Sequence, residues 1–188
     1  PEIRLGTHGR FHELMARAAC GAAIPTAVVH PCDEVSLRAA LEAAKAGLII
    51  PILVGPSARV QAAAKQAQLD ISAMHLVDAP HSHAAAAAAV ALVRSGEARL
   101  LMKGSLHTDE LMHAVVAADS GLRTDRRLSH VYLMDVPDYA RPLLVTDAAV
   151  NIAPSLADKR DIIQNAIDLA HIMGLAKPRV AVLSAVEN

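Results

Sequence analysis

The sequence has almost no aromatic residues: of its 188 residues, one is Phe, two are Tyr and none is Trp. The core must therefore be built from Ala, Val, Leu, Ile and Met side chains. Base stacking on aromatic rings is the usual anchor for single-stranded nucleic acid. The net charge of −1 adds no broad electrostatic footprint for nucleic acid or an anionic membrane surface. We therefore predict no nucleic-acid partner and no membrane partner.

Cysteines and long apolar runs are also scarce. Cys20 and Cys32 are too few for a disulfide framework, which favours reduced thiols in a cytoplasm. The longest apolar run, residues 84–93, is mostly alanine and too short to span a bilayer. No signal-peptide pattern opens the sequence. These absences predict a soluble, cytoplasmic, globular protein.

What the sequence does contain is an alternation of short apolar runs with helical patterns. Strand-like runs lie at residues 26–29, 49–54, 74–77 and 98–102, and helical patterns at 11–23, 33–46, 57–68, 81–95 and 109–118. Short apolar strands separated by helices of this length indicate a mostly parallel sheet with flanking helices. We predict an α/β fold with a first domain over residues 1–122.

The rhythm changes after residue 122. Two strand patterns, at 128–136 and 142–146, are joined by the short segment 137–141, which suits an antiparallel pair. Ser155-x-x-Asp158 predicts the capped start of a long helix that Gly174 ends. A last strand is predicted over residues 179–184. We expect residues 123–188 to be the start of a second α/β domain that is incomplete here.

The first candidate site is the turn after the predicted strand at 98–102. Its polar and flexible residues are Lys103, Gly104, Ser105, His107 and Thr108. Beyond the carboxyl end of a parallel strand, a flexible backbone, a positive charge and hydrogen-bond donors could hold a phosphate or a developing oxyanion. The spacing matches neither the Walker motif nor the three-glycine dinucleotide fingerprint. The alternative is an ordinary strand-to-helix turn in which Thr108 caps the helix.

Two further segments offer polar groups after a strand. Asp147 and Asn151 follow the strand at 142–146 and could orient a substrate, or they could only make turn and capping bonds. His30 and Cys32 follow the strand at 26–29 and invite interpretation as an activated thiolate. The favoured interpretation of Cys32 is a small packed residue.

The ten histidines suggest a test for metal binding. His81 and His83 form a close pair, and His8 and His12 are spaced by four residues, but neither pair has a third ligand at a suitable spacing. We predict no metal.

Six segments, in this order, resemble the phosphate acetyl/butyryltransferase family. They are residues 28–34, 52–55, 101–104, 134–137, 145–151 and 178–184. The resemblance covers nearly the whole chain from about residue 11. The sequence resembles the butyryltransferase-like branch more than the larger acetyltransferases. It is most similar to the domain found behind a MaoC-like (hot-dog) enoyl-CoA hydratase domain in bifunctional bacterial proteins.

The resemblance implies an architecture like that of isocitrate and isopropylmalate dehydrogenases: two α/β domains, an active site in the cleft between them, and usually a homodimer. It implies the reaction of acyl-CoA with phosphate to give acyl phosphate and CoA, with no metal or redox cofactor. Lys103, Gly104, Ser105, His107 and Thr108 match the family's substrate loop, and Asp147 and Asn151 lie in its second segment. The family's Ser-Arg…Asp catalytic cluster is expected beyond Asn188, so the catalytic residues are unassigned.

One departure from the family pattern concerns charge. Many members place an Arg in the helix after the substrate loop, where this sequence has Met112 or His113.

Two rival functions remain open. One is an NAD-dependent dehydrogenase of the same architecture, using Asp135, Asp138 and Asp147 for a metal. The other is a non-catalytic fragment that only dimerises.

Overall fold

The computed structural model describes residues 9–119, 122–136, 139 and 141–183. Asp138 and the end of the predicted last strand, at residue 184, lie outside these residues. The described chain divides into two compact units. One is Glu13–Arg123, and the other contains the described residues on either side of it.

The unit Glu13–Arg123 contains a parallel sheet with helices between its strands. The strands that the structure describes there are β1 Ile24–Val29, β2 Ile49–Gly55, β3 His75–Asp78 and β4 Leu100–Lys103. The helices are α1 Gly9–Ala19, which begins before the unit, α2 Glu34–Lys45, α3 Ser57–Gln66, α4 Ser82–Ser95 and α5 Thr108–Val116. The strand order is β3-β2-β1-β4, and every pair is parallel. The predicted α/β class, with a mostly parallel sheet and flanking helices, is confirmed.

The sheet is buried on both faces because its strands carry apolar residues on both sides. Val28 and Leu53 pack with Leu37 of α2 and Val60 of α3. Their neighbours in sequence point to the other face, where α4 and α5 cover them. Each fully buried Val or Leu side chain stabilises the fold by about 1.5–3 kcal/mol. The alanines of α4 that the sequence predicted as helix form its buried face.

Local sequence signals set the helix ends. The Asp33 carboxylate accepts the Ser36 backbone N–H at 2.8 Å and so caps α2. Gly47, just after α2, has a φ of +72°, a conformation that glycine adopts without steric cost. The first helix departs from prediction, because it starts at Gly9 and ends at Ala19 instead of covering 11–23.

The second unit contains an antiparallel pair and a long helix. Strands β5 Val131–Met134 and β6 Leu143–Thr146 pair with Leu133 opposite Leu144, which confirms the predicted hairpin. Helix α6 Leu156–Ile172 begins at the predicted capping box, where the Ser155 hydroxyl donates to the Asp158 carboxylate at 2.8 Å. Gly174 follows the helix with a φ of +88°.

The strand predicted over residues 179–184 is wrong for residues 179–183. These residues form neither strand nor helix, and all five are exposed. A strand needs a neighbour to receive its backbone hydrogen bonds. Within the described part of the chain, β5 and β6 pair only with each other, so an apolar sequence there has no ladder to join.

None of the helices in the described residues combines the length and hydropathy that crossing a lipid bilayer requires.

Candidate functional site

The strand order creates a switch point between β1 and β4. After β1, the chain adds β2 and β3 on one side of it, and then crosses over to place β4 on the other side. The loops that leave the carboxyl ends of β1 and β4 therefore turn toward opposite faces of the sheet. In open α/β sheets the crevice between two such loops is where ligands bind. Here the loops are residues 30–33 and 104–107.

Hydrogen bonds join these two loops directly. The Ser105 hydroxyl donates to the carbonyl oxygen of His30 at 2.7 Å, and it accepts the backbone N–H of Cys32 at 3.3 Å. The Ser105 backbone N–H donates to the same His30 carbonyl at 3.0 Å, and the Gly104 N–H donates to the Val29 carbonyl at 2.9 Å. The structure thus brings the first and third candidate segments of the sequence into one cluster.

Gly104 is required by packing at this point. A Cβ atom on residue 104 would lie 2.4 Å from the carbonyl oxygen of Val29 and 2.8 Å from that of His30. Such distances are well inside van der Waals contact. The close approach that glycine permits here is therefore between the ends of two strands. The sequence had suggested instead a flexible backbone that could hold a ligand.

His30 is held in an unusual state. Its φ is +53°, in the left-handed region that non-glycine residues seldom adopt. It is 6% exposed, and its Nε2 atom has no hydrogen-bond partner among the residues that the structure describes. Its Nδ1 atom lies 3.3 Å from the Ser105 hydroxyl oxygen. Because the single hydroxyl hydrogen goes to the nearer His30 carbonyl, the oxygen accepts from Nδ1–H, which leaves a lone pair on Nε2.

Burial favours the neutral form of this histidine. Removal from water lowers the pKa of His30, and the positive charge of Arg59 lowers it further, while Glu110 and Asp33 oppose the shift. His30 was missed as a site residue in its own right. Neither its backbone conformation nor its burial can be read from the sequence, because both depend on β4 lying beside β1.

The structure opposes an activated thiolate at Cys32. Burial raises the pKa of the Cys32 thiol, whereas a nucleophilic cysteine needs a lowered one. The side chain packs beside the apolar cluster that contains Leu37 and Val60. This is the environment of a small packed residue.

The remaining loop residues are exposed. Lys103, His107 and Thr108 all have exposed side chains, and the Lys103 ammonium donates to the Gly104 carbonyl at 3.2 Å. The residue that caps α5 is His107, not Thr108, which is the first residue of the helix. Further along α5, Met112 packs against the apolar core and His113 is exposed.

One carboxylate serves the starts of two helices. Glu110 accepts the His107 backbone N–H at 2.9 Å at the start of α5, and the Ser82 hydroxyl at 2.7 Å at the start of α4. The Ser82 bond, followed by the His107 bond, lowers the pKa of the Glu110 carboxyl. Glu110 therefore ties α4 to α5 beside the switch point.

The histidine pair at the start of α4 has structural partners. His81 caps the helix by accepting the Ala84 backbone N–H on Nδ1 at 3.2 Å, and His83 Nε2 lies 3.2 Å from Glu110 Oε1. Within the described ranges, no three His, Cys, Asp or Glu side chains gather closely enough to hold a metal ion.

Asp147 and Asn151 form a closed turn in the second unit. The Asp147 carboxylate accepts the His130 backbone N–H at 2.8 Å and the Asn151 backbone N–H at 2.7 Å. The Asn151 side chain donates to that carboxylate and, at 3.0 Å, to the Leu128 carbonyl. These contacts are the turn and capping bonds that the sequence offered as one interpretation of Asp147 and Asn151. Their role in substrate binding stays a prediction.

Electrostatics keep this turn charged. Burial alone would raise the pKa of the Asp147 carboxyl, but hydrogen bonds from His130 and Asn151 outweigh burial and lower it. The carboxylate is therefore ionised at neutral pH and holds two segments of chain together.

Two arginines that sequence reasoning did not single out complete the second cluster. Arg127 donates through Nε to the Asn151 side-chain oxygen at 2.7 Å, and Arg126 forms an ion pair with Asp168 of α6. The signal in the sequence is three arginines within residues 123–127, just before the hairpin.

The sequence profile of the family described as "Phosphate acetyl/butaryl transferase" matches residues 82–188, more than half of the chain. The chain belongs to this family. The matched range contains two of the three candidate segments, residues 103–108 and 145–151.

Curated relatives agree with the family. The chain is 58% identical to a protein named phosphate acetyltransferase from Rhizobium meliloti, over 95% of this chain and 57% of the relative. It is 34% identical to a phosphate butyryltransferase of Clostridium acetobutylicum, over 94% of this chain and 59% of the relative. The chain thus spans somewhat more than half the length of these two family members.

Solved structures show the same fold. A branched-chain phosphotransacylase from Enterococcus faecalis V583 superposes with a TM-score of 0.71 at 28% identity, covering 88% of this chain and 57% of the other. A phosphotransacetylase from Streptococcus pyogenes gives a TM-score of 0.73 at 18% identity, over 93% of this chain and 60% of the other. The family's fold therefore includes the α/β arrangement seen here.

Proposed function

We propose that the protein containing this chain transfers an acyl group from CoA to inorganic phosphate, giving acyl phosphate and free CoA. The observation that carries the proposal is the 58% identity to a protein named phosphate acetyltransferase, over 95% of the chain. Acetyl and butyryl groups are the proposed acyl classes, because relatives named for each group match the chain.

The chemistry sets what the site must do. A phosphate oxygen attacks the thioester carbonyl carbon, which passes through a tetrahedral oxyanion. The carbon–sulfur bond then breaks, and the CoA thiolate leaves and takes up a proton. No electrons are exchanged between the substrates, so the proposed reaction needs no redox cofactor, and we propose none and no metal. The site must hold two anions close together and stabilise the oxyanion.

The loop after β4 offers groups suited to this task. We propose that Lys103, His107 and Thr108 contact the anionic substrates, since their side chains are exposed beside the start of α5. A cation and the N-terminus of a helix both favour negative charge. Gly104 and Ser105 belong to the same substrate loop and hold its shape through their bonds to β1.

We further propose that Asp147 and Asn151 form part of the substrate-binding surface of the second unit. Finer features are proposed from the sequence pattern and the family resemblance: a two-domain architecture like that of isocitrate and isopropylmalate dehydrogenases with a boundary near residue 122, a homodimer, a cytoplasmic location, and fusion to a MaoC-like hydratase domain.

The test is thiol release from acetyl-CoA and butyryl-CoA, with and without inorganic phosphate. It is run on this polypeptide and on the natural full-length protein. Phosphate-dependent release by the full-length protein is the expected result, and comparison with this polypeptide shows whether residues outside it are essential.

The control is the same assay without phosphate, which measures simple hydrolysis of the thioester. Release that does not depend on phosphate with either thioester, in the full-length protein, contradicts the proposed function. An assay for hydride transfer to NAD would then test the dehydrogenase alternative.

A further inference from the structure

The imidazole of His30 lies at the switch point, and the proposed function gives it no role. It follows β1 directly, and its Nδ1 contacts Ser105 of the proposed substrate loop at 3.3 Å. Two independent features set it apart: its backbone is left-handed, with φ +53°, and its Nε2 atom is buried without a hydrogen-bond partner in the described part of the chain. Unusual backbone conformations and unsatisfied buried polar atoms both cost stability and concentrate at functional sites.

The state of the ring defines what Nε2 can bind. Ser105 accepts from Nδ1–H, so Nε2 carries a lone pair and accepts hydrogen bonds. An oxygen without a hydrogen is not a partner, because two lone pairs would face each other. The partner must be an O–H or N–H group.

We propose that His30 Nε2 accepts a hydrogen bond from a bound substrate, which makes His30 a substrate-binding residue. This inference rests on the proposed function for the identity of the substrate. Two sources offer the required donor: a protonated oxygen of inorganic phosphate, and an amide N–H or hydroxyl of the pantetheine arm of CoA. Nε2 is covered in this structure, so the atoms over it must move when the ligand binds.

The charged groups around the ring come from three elements. Arg59 of α3 acts against protonation of His30, while Glu110 of α5 and Asp33 at the start of α2 act in favour of it. Burial and Arg59 together outweigh the two carboxylates. The acceptor form of the ring is thus the one that the surroundings favour near neutral pH.

The direct test is nitrogen NMR of the natural full-length protein labelled at histidine. Inorganic phosphate, CoA and acetyl-CoA are added separately, with binding measured in parallel by calorimetry. The His30 Nε2 resonance is expected to move toward the hydrogen-bonded position with one of the ligands, which identifies the source of the donor. If all three bind and the resonance stays in place with each, the proposal fails.

A pair of variants separates the two ring nitrogens. His30→Asn keeps an N–H near the Nδ1 position for Ser105 and suits the left-handed backbone, while it removes the Cε1 and Nε2 atoms of the ring. It should weaken binding of the same ligand by about tenfold, the worth of one hydrogen bond. His30→Gln places an amide oxygen near the Nε2 position and should recover part of that affinity. Equal affinity of wild type and His30→Asn for all three ligands overturns the proposal.

Failure of this inference is distinguishable from failure of the proposed function. Thiol release with an unmoved Nε2 resonance disproves only the role of His30. A shifted resonance without phosphate-dependent thiol release disproves only the acyl transfer.

Discussion

The Ser105 hydroxyl donates a 2.7 Å hydrogen bond to the carbonyl oxygen of His30, 75 residues earlier in the chain. The Ser105 hydroxyl oxygen also accepts the Cys32 N–H and lies 3.3 Å from His30 Nδ1. One hydroxyl thus contacts three groups of the loop after β1 and links the two loops at the switch point.

Replacing this hydroxyl should destabilise the unit Glu13–Arg123. In Ser105→Ala the His30 ring loses the hydroxyl that lies 3.3 Å from its Nδ1 atom, whereas the Cys32 N–H keeps the His30 carbonyl oxygen at 2.9 Å. The loss should cost about 0.5–1.5 kcal/mol in the free energy of unfolding. Urea unfolding followed by circular dichroism measures the loss. Ser95→Ala is the matched control, since the exposed Ser95 hydroxyl bonds locally, to Leu92 and Glu97 at the end of α4, and its loss should lower stability less than the loss of the Ser105 hydroxyl does. Equal effects of the two variants would show that the loop junction does not depend on Ser105.

A side chain at residue 104 should be more damaging. In Gly104→Ala the new Cβ meets the Val29 carbonyl oxygen at 2.4 Å, so β1 and β4 must move apart. Overpacking of this kind costs about 2–3 kcal/mol. Gly9→Ala is the control, because no atom of the described residues lies within 4 Å of its added Cβ. Thermal unfolding compares the two, and a midpoint for Gly104→Ala equal to that of wild type would contradict the packing role.

Lys103 should matter for phosphate more than for stability. Lys103→Ala removes an exposed positive charge from the proposed substrate loop, and the KM for phosphate in the full-length protein should rise about tenfold. Lys45→Ala removes an exposed charge from the last turn of α2, just before the amino end of β2, and should leave that KM unchanged. An equal rise of the KM for phosphate in both variants would show that the net charge of the protein, and not the substrate loop, causes the effect.

The stability of the chain should fall as the pH drops below about 6.5, the ordinary pKa of histidine. His30 has a lowered pKa in the folded protein, so in this range the unfolded chain binds a proton that the folded chain does not. Proton uptake then favours unfolding, and the loss levels off below the folded-state pKa.

Urea unfolding of wild type and His30→Asn, from pH 8 to pH 5, isolates this contribution. Glu110 and Asp33 remain in both proteins, so the difference reports His30 together with its electrostatic coupling to these two carboxylates. The variant should lose less stability than wild type over this range. Parallel curves would show that His30 does not resist protonation.

Asp147 should hold the second unit together. In Asp147→Asn the carboxylate that accepts the His130 and Asn151 backbone N–H groups loses its charge, and one of its two oxygens becomes a donor. Hydrogen bonds to charged groups are worth about 1.5–3 kcal/mol each. Limited proteolysis after the hairpin should therefore accelerate. Asp125→Asn, at an exposed bend, is the control, and the same cleavage rate in both variants would speak against the role of the turn.

The sequence predicted local features well because their causes are local. The Ser155 and Asp158 box, the cap at Asp33 and the glycine after α6 each act over a few residues. The alternation of apolar runs and helices was enough for the parallel sheet. The first helix shows the limit of such signals, since its ends differ from the prediction by two to four residues.

Features that depend on distant neighbours could not be predicted. An apolar run at 179–183 indicated a strand. Whether a segment forms a strand depends on pairing with a neighbour, and no described strand pairs with this one. The His30 ring gains its burial and its contact with Ser105 only when β4 is added next to β1. For the same reason the sequence pattern suggested a ligand-binding role for Gly104, whereas the group closest to a Cβ built on Gly104 is the backbone of β1.

The order β3-β2-β1-β4 also has a consequence during protein synthesis. Between Val29 and Leu100 the ribosome makes two further strands and three helices, so the nascent chain exposes an unpaired edge of β1 for most of this time. Such an edge can pair with another chain. It closes only when β4 emerges, and the contact between Ser105 and His30 is therefore among the last parts of this unit to assemble.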